Sequence, residues 1–329
     1  MIESSAIRLL DRSSVAEARR SAVEHAARAG FDDPGRSDVA IVATELATNL
    51  LRHARGGVLS VSSRLQCADG KLLLVAVDQG PGIADLDKCF ADGYSSAGSS
   101  GTGLGAISRL STCVDVYSTP KGTVLAAELM RAAHGSAGSR RVGGFTLAKE
   151  GQDANGDAWD CRTLDGGLAV LVCDGLGHGT FASHASREAV DTFRHAEWRS
   201  AKDMLATIDR ALHSTRGAAG AIAFIETGTN RVRYCGVGNI SACIVTGDVS
   251  RHLVSHNGIL GHGAARMTEF DYDLAAESLL VMHSDGISAR WQPADLGGAW
   301  GRHPCLVAGL LYRDFARGGD DVAAVVIKP

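Results

Sequence analysis

The stretch LVCDGLGHG at residues 171–179 delivers one aspartate, Asp174, from an apolar run into a segment dominated by Gly and His. A carboxylate at the end of a buried strand, with side chains cleared around it, is either a turn former or a ligand whose backbone must be approached closely. Other acids in the same half of the chain hold similar places. Asp157 follows Asn-Gly, Asp285 follows VMHS, and Asp320 and Asp321 precede VAAVV. One acid at a strand end is ordinarily a turn former or a helix cap. Several in one domain change the balance, because buried carboxylates repel one another and need a cation to stay ionised together. Hard oxygen donors of this kind suit Mg²⁺ or Mn²⁺ and not zinc. His178 has no HxxxH or HExxH partner to support a zinc reading.

The first part of the chain offers a different set of groups. Glu45 and Asn49, one helical turn apart, share a face, and His53 follows a turn later. Taken alone, that pattern is more often a solvated helix face. Asp78 ends an apolar run and enters Gln79-Gly80-Pro81-Gly82, where a carboxylate can accept a hydrogen bond from an exocyclic amine and the bend keeps the backbone near a flat ring. In GTGLGAISRL (101–110), glycines open into a helix, and exposed backbone N–H groups at a helix start suit phosphate oxygens. No parallel βαβ unit surrounds these glycines, so they are not a dinucleotide fingerprint.

These residues need elements to hold them. SDVAIVATELATNLLRHA (37–54) predicts an amphipathic helix, with Ser37 or Asp38 as cap and Ile41, Leu46, Leu50 and Leu51 as apolar positions. VLSVSSR (58–64) and LLLVAVD (72–78) alternate as strands do. RAAHGSAGSRR (131–141) has no hydrophobic period and reads as a linker. The expected domains are 1–134 and 142–329, joined by 135–141, and 95–105 reads as a loop inside the first. Beyond the linker, strands are expected on either side of helices at 182–196 and 201–215, with a last strand in DDVAAVVIK. Met204, Leu205, Ile208 and Leu212 form a core stripe. Strand groups with helices between them predict helices packed over sheets.

The order ELATN, DQGPG, GTGLG resembles the sequence boxes of the GHKL (Bergerat-fold) ATPases, and DGYSSAGSSGTGLGA is similar to the RsbT-type switch kinases. That resemblance implies ATP or ADP with Mg²⁺. Asp78 would take adenine, Asn49 the Mg²⁺, and Gly80, Gly82, Gly101, Gly103 and Gly105 the lid and phosphates. Glu45 would be the base of a serine kinase, should the domain turn over. In the second half, GDAWD, CDGLGHG, GVGNISA, HSDGIS and GGDDVAAVV resemble, in order, the metal-dependent protein phosphatases (PPM family), in the SpoIIE and RsbX branch. The resemblance implies two Mn²⁺ or Mg²⁺ ions, with Asp174 bridging them, the Gly175 carbonyl assisting, and Asp157, Asp285 and Asp320 completing the set. The ions would activate a water for in-line attack on phosphorus. Asp157 is preferred over Asp160, and Asp320 over Asp321. The last motif lacks the hydroxyl of DDxT, and the phosphate-clamping arginine of some relatives is unassigned, with Arg216 either that group or a surface side chain.

The expected fold class is α+β in two domains. The first is a Bergerat-type α/β sandwich, a mixed sheet with helices on one face; the second is a PPM-type αββα sandwich. The implied activity is phosphoserine hydrolysis on a STAS-domain regulator, an anti-sigma antagonist or stressosome-like component, in bacterial partner switching. The alternative is a nucleotide-gated module that sequesters its partner with little catalysis. A homodimer is left open. The net charge of -4 gives no electrostatic reason to expect nucleic acid, no apolar run is long enough for a membrane span, and the N-terminus lacks the pattern of a signal peptide. Eight scattered cysteines without a CxxC pair fit reduced, buried thiols and a cytoplasmic setting.

Overall fold

A computed structural model describes residues 2–64, 70–86, 103–131, 141–263 and 266–329. The chain divides between Ser139 and Arg140 into two compact units. The expected linker falls almost wholly on residues 132–140, outside the described residues, as do most of the loop at 95–105 and Gly101.

The first unit contains β1 (Ile2–Leu9), α1 (Arg12–Arg28), α2 (Asp33–His53), β2 (Gly57–Arg64), β3 (Lys71–Val77), α3 (Gly103–Leu110), β4 (Cys113–Thr119) and β5 (Gly122–Met130). The strands form one sheet in the order β1-β2-β3-β5-β4. Every described pairing in it is antiparallel, where a mixed sheet was expected. Helices α1 and α2 pack together and on β1 and β2, and α3 packs on α2, β4 and β5.

Helix α2 starts earlier than the sequence pattern suggested. Asp32, not Ser37 or Asp38, is its cap and accepts the Gly35 N–H at 2.9 Å. Pro34 occupies the first turn, where its fixed φ and missing N–H cost nothing. The buried stripe is Val39, Val42, Ala43, Leu46, Ala47 and Leu50, so Ile41 faces outward. That rotation leaves Glu45 and Asn49 half-buried at the edge of the stripe.

The second unit runs β6 (Arg141–Leu147), β7 (Asp157–Leu164), β8 (Gly167–Gly175), α4 (Thr180–His195), α5 (Ala201–Ala211), β9 (Ala218–Glu226), β10 (Arg231–Val237), β11 (Ser241–Thr246), β12 (Val249–His252), β13 (Phe270–Asp273), β14 (Leu279–His283), α6 (Pro304–Phe315) and β15 (Val322–Lys328). Two five-stranded sheets result, ordered β13-β10-β9-β8-β7 and β12-β11-β14-β15-β6. Helices α4 and α5 cover the first through Leu171, Cys173, Phe193, Met204, Leu205, Ile208 and Phe224. Helix α6 covers the second, with Tyr312 stacked on Phe145 at 4.6 Å. The inner faces meet where β15 packs on β7 and β8. This is the expected αββα layering. Cys161, Cys173, Cys235, Cys243 and Cys305 are free and buried, while Cys113 is exposed.

Strand parity decides which acids reach the space between the sheets. On β8, Ala169, Leu171 and Cys173 face the helices, so Asp174 faces inward. On β7, Ala158 and Leu164 pack on the helix side, so Asp157 points inward and Asp160 outward.

Candidate metal centre and nucleotide site

Strands β7 and β8 pair with Asp157 opposite Asp174. Directly opposed residues share a face with their Cβ atoms close together, so the register itself places two carboxylates side by side. Burial holds the Asp157 carboxyl well above the usual carboxylate range, and the neighbouring Asp174 charge adds to the effect. Asp174 is pushed up to about 7, first by burial and then by Asp285 and Asp320. Asp285, just beyond β14, accepts the Asn239 side-chain N–H at 2.7 Å. Asp320, exposed, accepts the Asp321 N–H at 3.0 Å.

Asp174, Asp285 and Asp320 line one cleft of about 480 Å³, together with Lys149, His178 and Asn239. Asp157 lies behind Asp174 and does not line it. Among the described residues, no three His, Cys, Asp or Glu side chains stand close enough as they lie to hold a metal ion. Two other observations favour a cation. Asp157 Oδ2 and Asp321 Oδ2 are buried without a hydrogen-bond partner, and orphaned carboxylate oxygens of this kind are costly unless a cation meets them. The donors are all hard oxygens, which fits Mg²⁺ or Mn²⁺. Like charges stand apart until a cation draws them together.

Asp321 and Asp160 behave differently from their neighbours. Asp321 is buried and accepts the Lys149 N–H at 2.8 Å, tying the end of β6 to the start of β15. Asp160 takes the Arg194 Nε at 2.5 Å and the Cys161 N–H at 2.7 Å, on the helix side. Gly175 donates its N–H to Gly156 at 3.0 Å, and a Cβ there would lie 2.1 Å from the Ala182 carbonyl oxygen. Only glycine lets α4 start against the end of β8. Gly175→Ala is therefore expected to cost about 1–3 kcal/mol, measurable as a lowered thermal midpoint.

In the first unit, Asp78 Oδ1 accepts the N–H groups of Gly80 at 2.8 Å and Thr123 at 3.1 Å, which fixes the carboxylate. A Cβ on Gly103 would lie 2.8 Å from Glu45 Oε2 and 3.8 Å from Asn49 Oδ1. The start of α3 thus lies over the Glu45–Asn49 face, with Gly105 buried two residues further on. Gly80 packs against Ala54, at the end of α2, and Gly82 against the Thr119 carbonyl. Glu45, Asn49 and Gly103 are brought together, and Asp78 and Gly80 lie beside the C-terminal end of the same helix, near Leu50 and Ala54.

Sequence reasoning gave no role to Asn239, Lys149 or Ser284. Asn239 lay inside the quoted GVGNISA, and its amide beside a strand end was the available signal. Ser284, whose Oγ accepts the Ala323 N–H at 2.9 Å, precedes Asp285 in HSDG. Lys149 left no signal.

Residues 9–129 match the family model of the histidine kinase-like ATPase domain. Residues 164–328, half of the chain, match that of stage II sporulation protein E (SpoIIE). The serine/threonine-protein kinase RsbT of Bacillus subtilis (strain 168) is 30% identical over 110 residues, covering 33% of this chain and 83% of its own. The phosphoserine phosphatase RsbX of the same organism is 24% identical over 145 residues, covering 44% of this chain and 73% of its own. A solved structure described as "The bacterial stressosome: a modular system that has been adapted to control secondary messenger signaling" superposes with a TM-score of 0.54 and 27% identity, over 57% of this chain and 99% of that one. No described helix is long and apolar enough to cross a membrane. With acids gathered at strand ends between two sheets and these matches at hand, the chain belongs to the SpoIIE family, a PPM-type protein serine/threonine phosphatase carrying a histidine kinase-like ATPase domain.

Proposed function

We propose that the second unit hydrolyses phosphoserine on a STAS-type regulator of a partner-switching system, in the cytoplasm, with two Mn²⁺ or Mg²⁺ ions. The observation that carries this reading is the Asp157–Asp174 pair, opposed in register, with Asp174 on the cleft and Asp157 buried, its Oδ2 lacking a hydrogen-bond partner. Asp157, Asp174, Asp285, Asp320 and the Gly175 carbonyl would hold the ions. When bound, they supply Lewis acidity and an activated water. The chain's own residues fix the donors: Asn239 orients Asp285, Ser284 ties the segment before Asp285 to β15 through the Ala323 N–H, and Asp321 braces the Lys149 backbone against the cleft. Water and the phosphoserine ester give serine and inorganic phosphate, so no side-chain nucleophile is needed.

The first unit binds ATP with Mg²⁺ in this reading. Asn49 holds the ion, Asp78 the adenine, Gly80, Gly82, Gly101, Gly103 and Gly105 the lid and phosphates, and Glu45 serves as base if a serine is phosphorylated. The convergence of Glu45, Asn49 and Gly103 supports it.

The test is phosphate release from a phosphoserine STAS-type protein by the full chain with Mn²⁺, with and without ATP. Release that ATP alters is the expected result, and it makes the first unit a regulator of the second. Asn49→Ala should weaken Mg-ATP binding at least about tenfold and abolish the ATP effect while basal release persists. No release under either condition, with binding intact, would favour the sequestering module.

A further inference from the structure

Leu176 is 45% exposed and Phe181 is 66% exposed, and they flank the Gly177-His178-Gly179 turn that follows Asp174. Single apolar side chains on a surface are ordinary. Leu176 and Gly177 line the acidic cleft together with Asp174, Asp285 and Asp320, and Phe181 follows in the first turn of α4. Ile259 continues the apolar wall.

A cation stands beside them. The Arg216 guanidinium carbon lies 4.6 Å from the centroid of the Phe181 ring. A Cβ on Gly177 would lie 3.4 Å from Arg216 Nη1, which puts the guanidinium at the cleft wall. The Leu176 N–H donates to the Gly217 carbonyl at 3.0 Å, so the chain after Arg216 is tied to the turn. Among the described residues Arg216 forms no ion pair with a carboxylate. A guanidinium held over a ring face keeps N–H donors available to an anion. The cleft carries three carboxylates, which repel a phosphate monoester. An unpaired arginine at its mouth offsets that repulsion where the substrate enters.

We infer that Leu176, Phe181 and Arg216 form the docking ledge for the phosphoserine-bearing segment of the protein substrate. An apolar side chain next to the phosphoserine rests on Leu176 and Phe181, and Arg216 holds a phosphate oxygen. The inference rests on the phosphatase reading above and adds to it a sequence preference. Continuity with the cleft and charge complementarity select this occupant over a second copy of the chain.

The experiment uses the full chain with Mn²⁺ and three probes: para-nitrophenyl phosphate and two phosphoserine peptides that differ only in a leucine or a serine beside the phosphoserine. The wild-type chain should favour the leucine peptide about tenfold in kcat/KM, through KM. Phe181→Ser should bring that ratio to about one, and Val249→Ser, an exposed apolar position on β12 at the edge of the other sheet, should leave it at about ten. Arg216→Gln should lower kcat/KM on all three probes about tenfold, with partial rescue by Arg216→Lys. Fluorescence anisotropy of a labelled leucine peptide on an Asp174→Asn chain should show weaker binding when Phe181→Ser is added.

A leucine preference unchanged by Phe181→Ser overturns the ledge, as does a wild-type chain that cleaves para-nitrophenyl phosphate but treats the peptides alike. So does a change in sedimentation on Phe181→Ser with the preference intact, which makes the patch an interface between copies. A wild-type chain that cleaves none of the probes overturns the phosphatase reading itself.

Discussion

Asp174→Asn is expected to lower phosphate release by about a thousandfold or more while making the metal-free protein more stable above neutral pH. The two effects share one cause. Burial, then Asp285 and Asp320, push the Asp174 carboxyl up to about 7. Its pKa in the unfolded chain is about 3.9. Between those values the folded chain holds a proton that the unfolded chain has released, so stability falls as pH rises. The stabilising contribution is complete below about pH 4 and gone once pH passes about 7. Asparagine carries no charge and escapes the penalty.

A divalent cation reverses the wild-type loss, because it binds the folded chain and not the unfolded one. Thermal unfolding in chelator and in Mn²⁺, from pH 5 to pH 8, reads both effects. The wild-type chain should gain most from Mn²⁺ at pH 8 and least at pH 5. Asp174→Asn should have the higher midpoint in chelator at pH 8 and respond little to Mn²⁺. A variant that keeps the full Mn²⁺ response, or turns over like the wild type, would remove Asp174 from the metal set.

How far these residues were legible depended on the kind of information each one needs. That Asp157 and Asp174 end strands was visible, since apolar alternation and the glycines after each acid mark the boundary. That they face each other was not, because the register of β7 on β8 is set by pairing between separate segments. Strand parity separates Asp157 from Asp160 without any structure, given the strand's extent. Asp320 and Asp321 are harder, since both precede β15 and either could turn inward. The backbone there sends Asp321 into the Lys149 amide and leaves Asp320 on the cleft.

The start of α2 was misplaced for a local reason: the capping signal at Ser37 and Asp38 was weaker than Asp32 followed by Pro34. The antiparallel first sheet was hidden because strand direction depends on connections through residues that carry no periodic signal. Asn239 could be read as a motif residue but not as the partner of Asp285, which requires β11 beside β14.

Asp160→Ala should do the reverse of Asp174→Asn, costing stability and sparing catalysis. Asp160 is fully buried, and its carboxylate takes the Arg194 Nε at 2.5 Å. Removing one member of a buried ion pair typically costs about 3–5 kcal/mol, because the partner is left without its counter-charge. Here Arg194 keeps 17% exposure and a second carboxylate, Asp191, at 3.2 Å. It can turn outward, which moves the cost toward about 3 kcal/mol. The Cys161 N–H also donates to Asp160 Oδ1, at 2.7 Å, and that bond goes with the carboxylate.

For a unit of this size the loss corresponds to a fall of about 6–12 °C in the thermal midpoint. The Mn²⁺ response and phosphate release per folded molecule should stay near wild type, since Asp160 faces α4 and not the cleft. Asp160→Leu combined with Arg194→Leu should recover most of the loss, because an apolar pair needs no counter-charge. An Asp160→Ala chain that folds at the wild-type midpoint but loses its Mn²⁺ response would move Asp160 into the metal centre and Asp157 out of it.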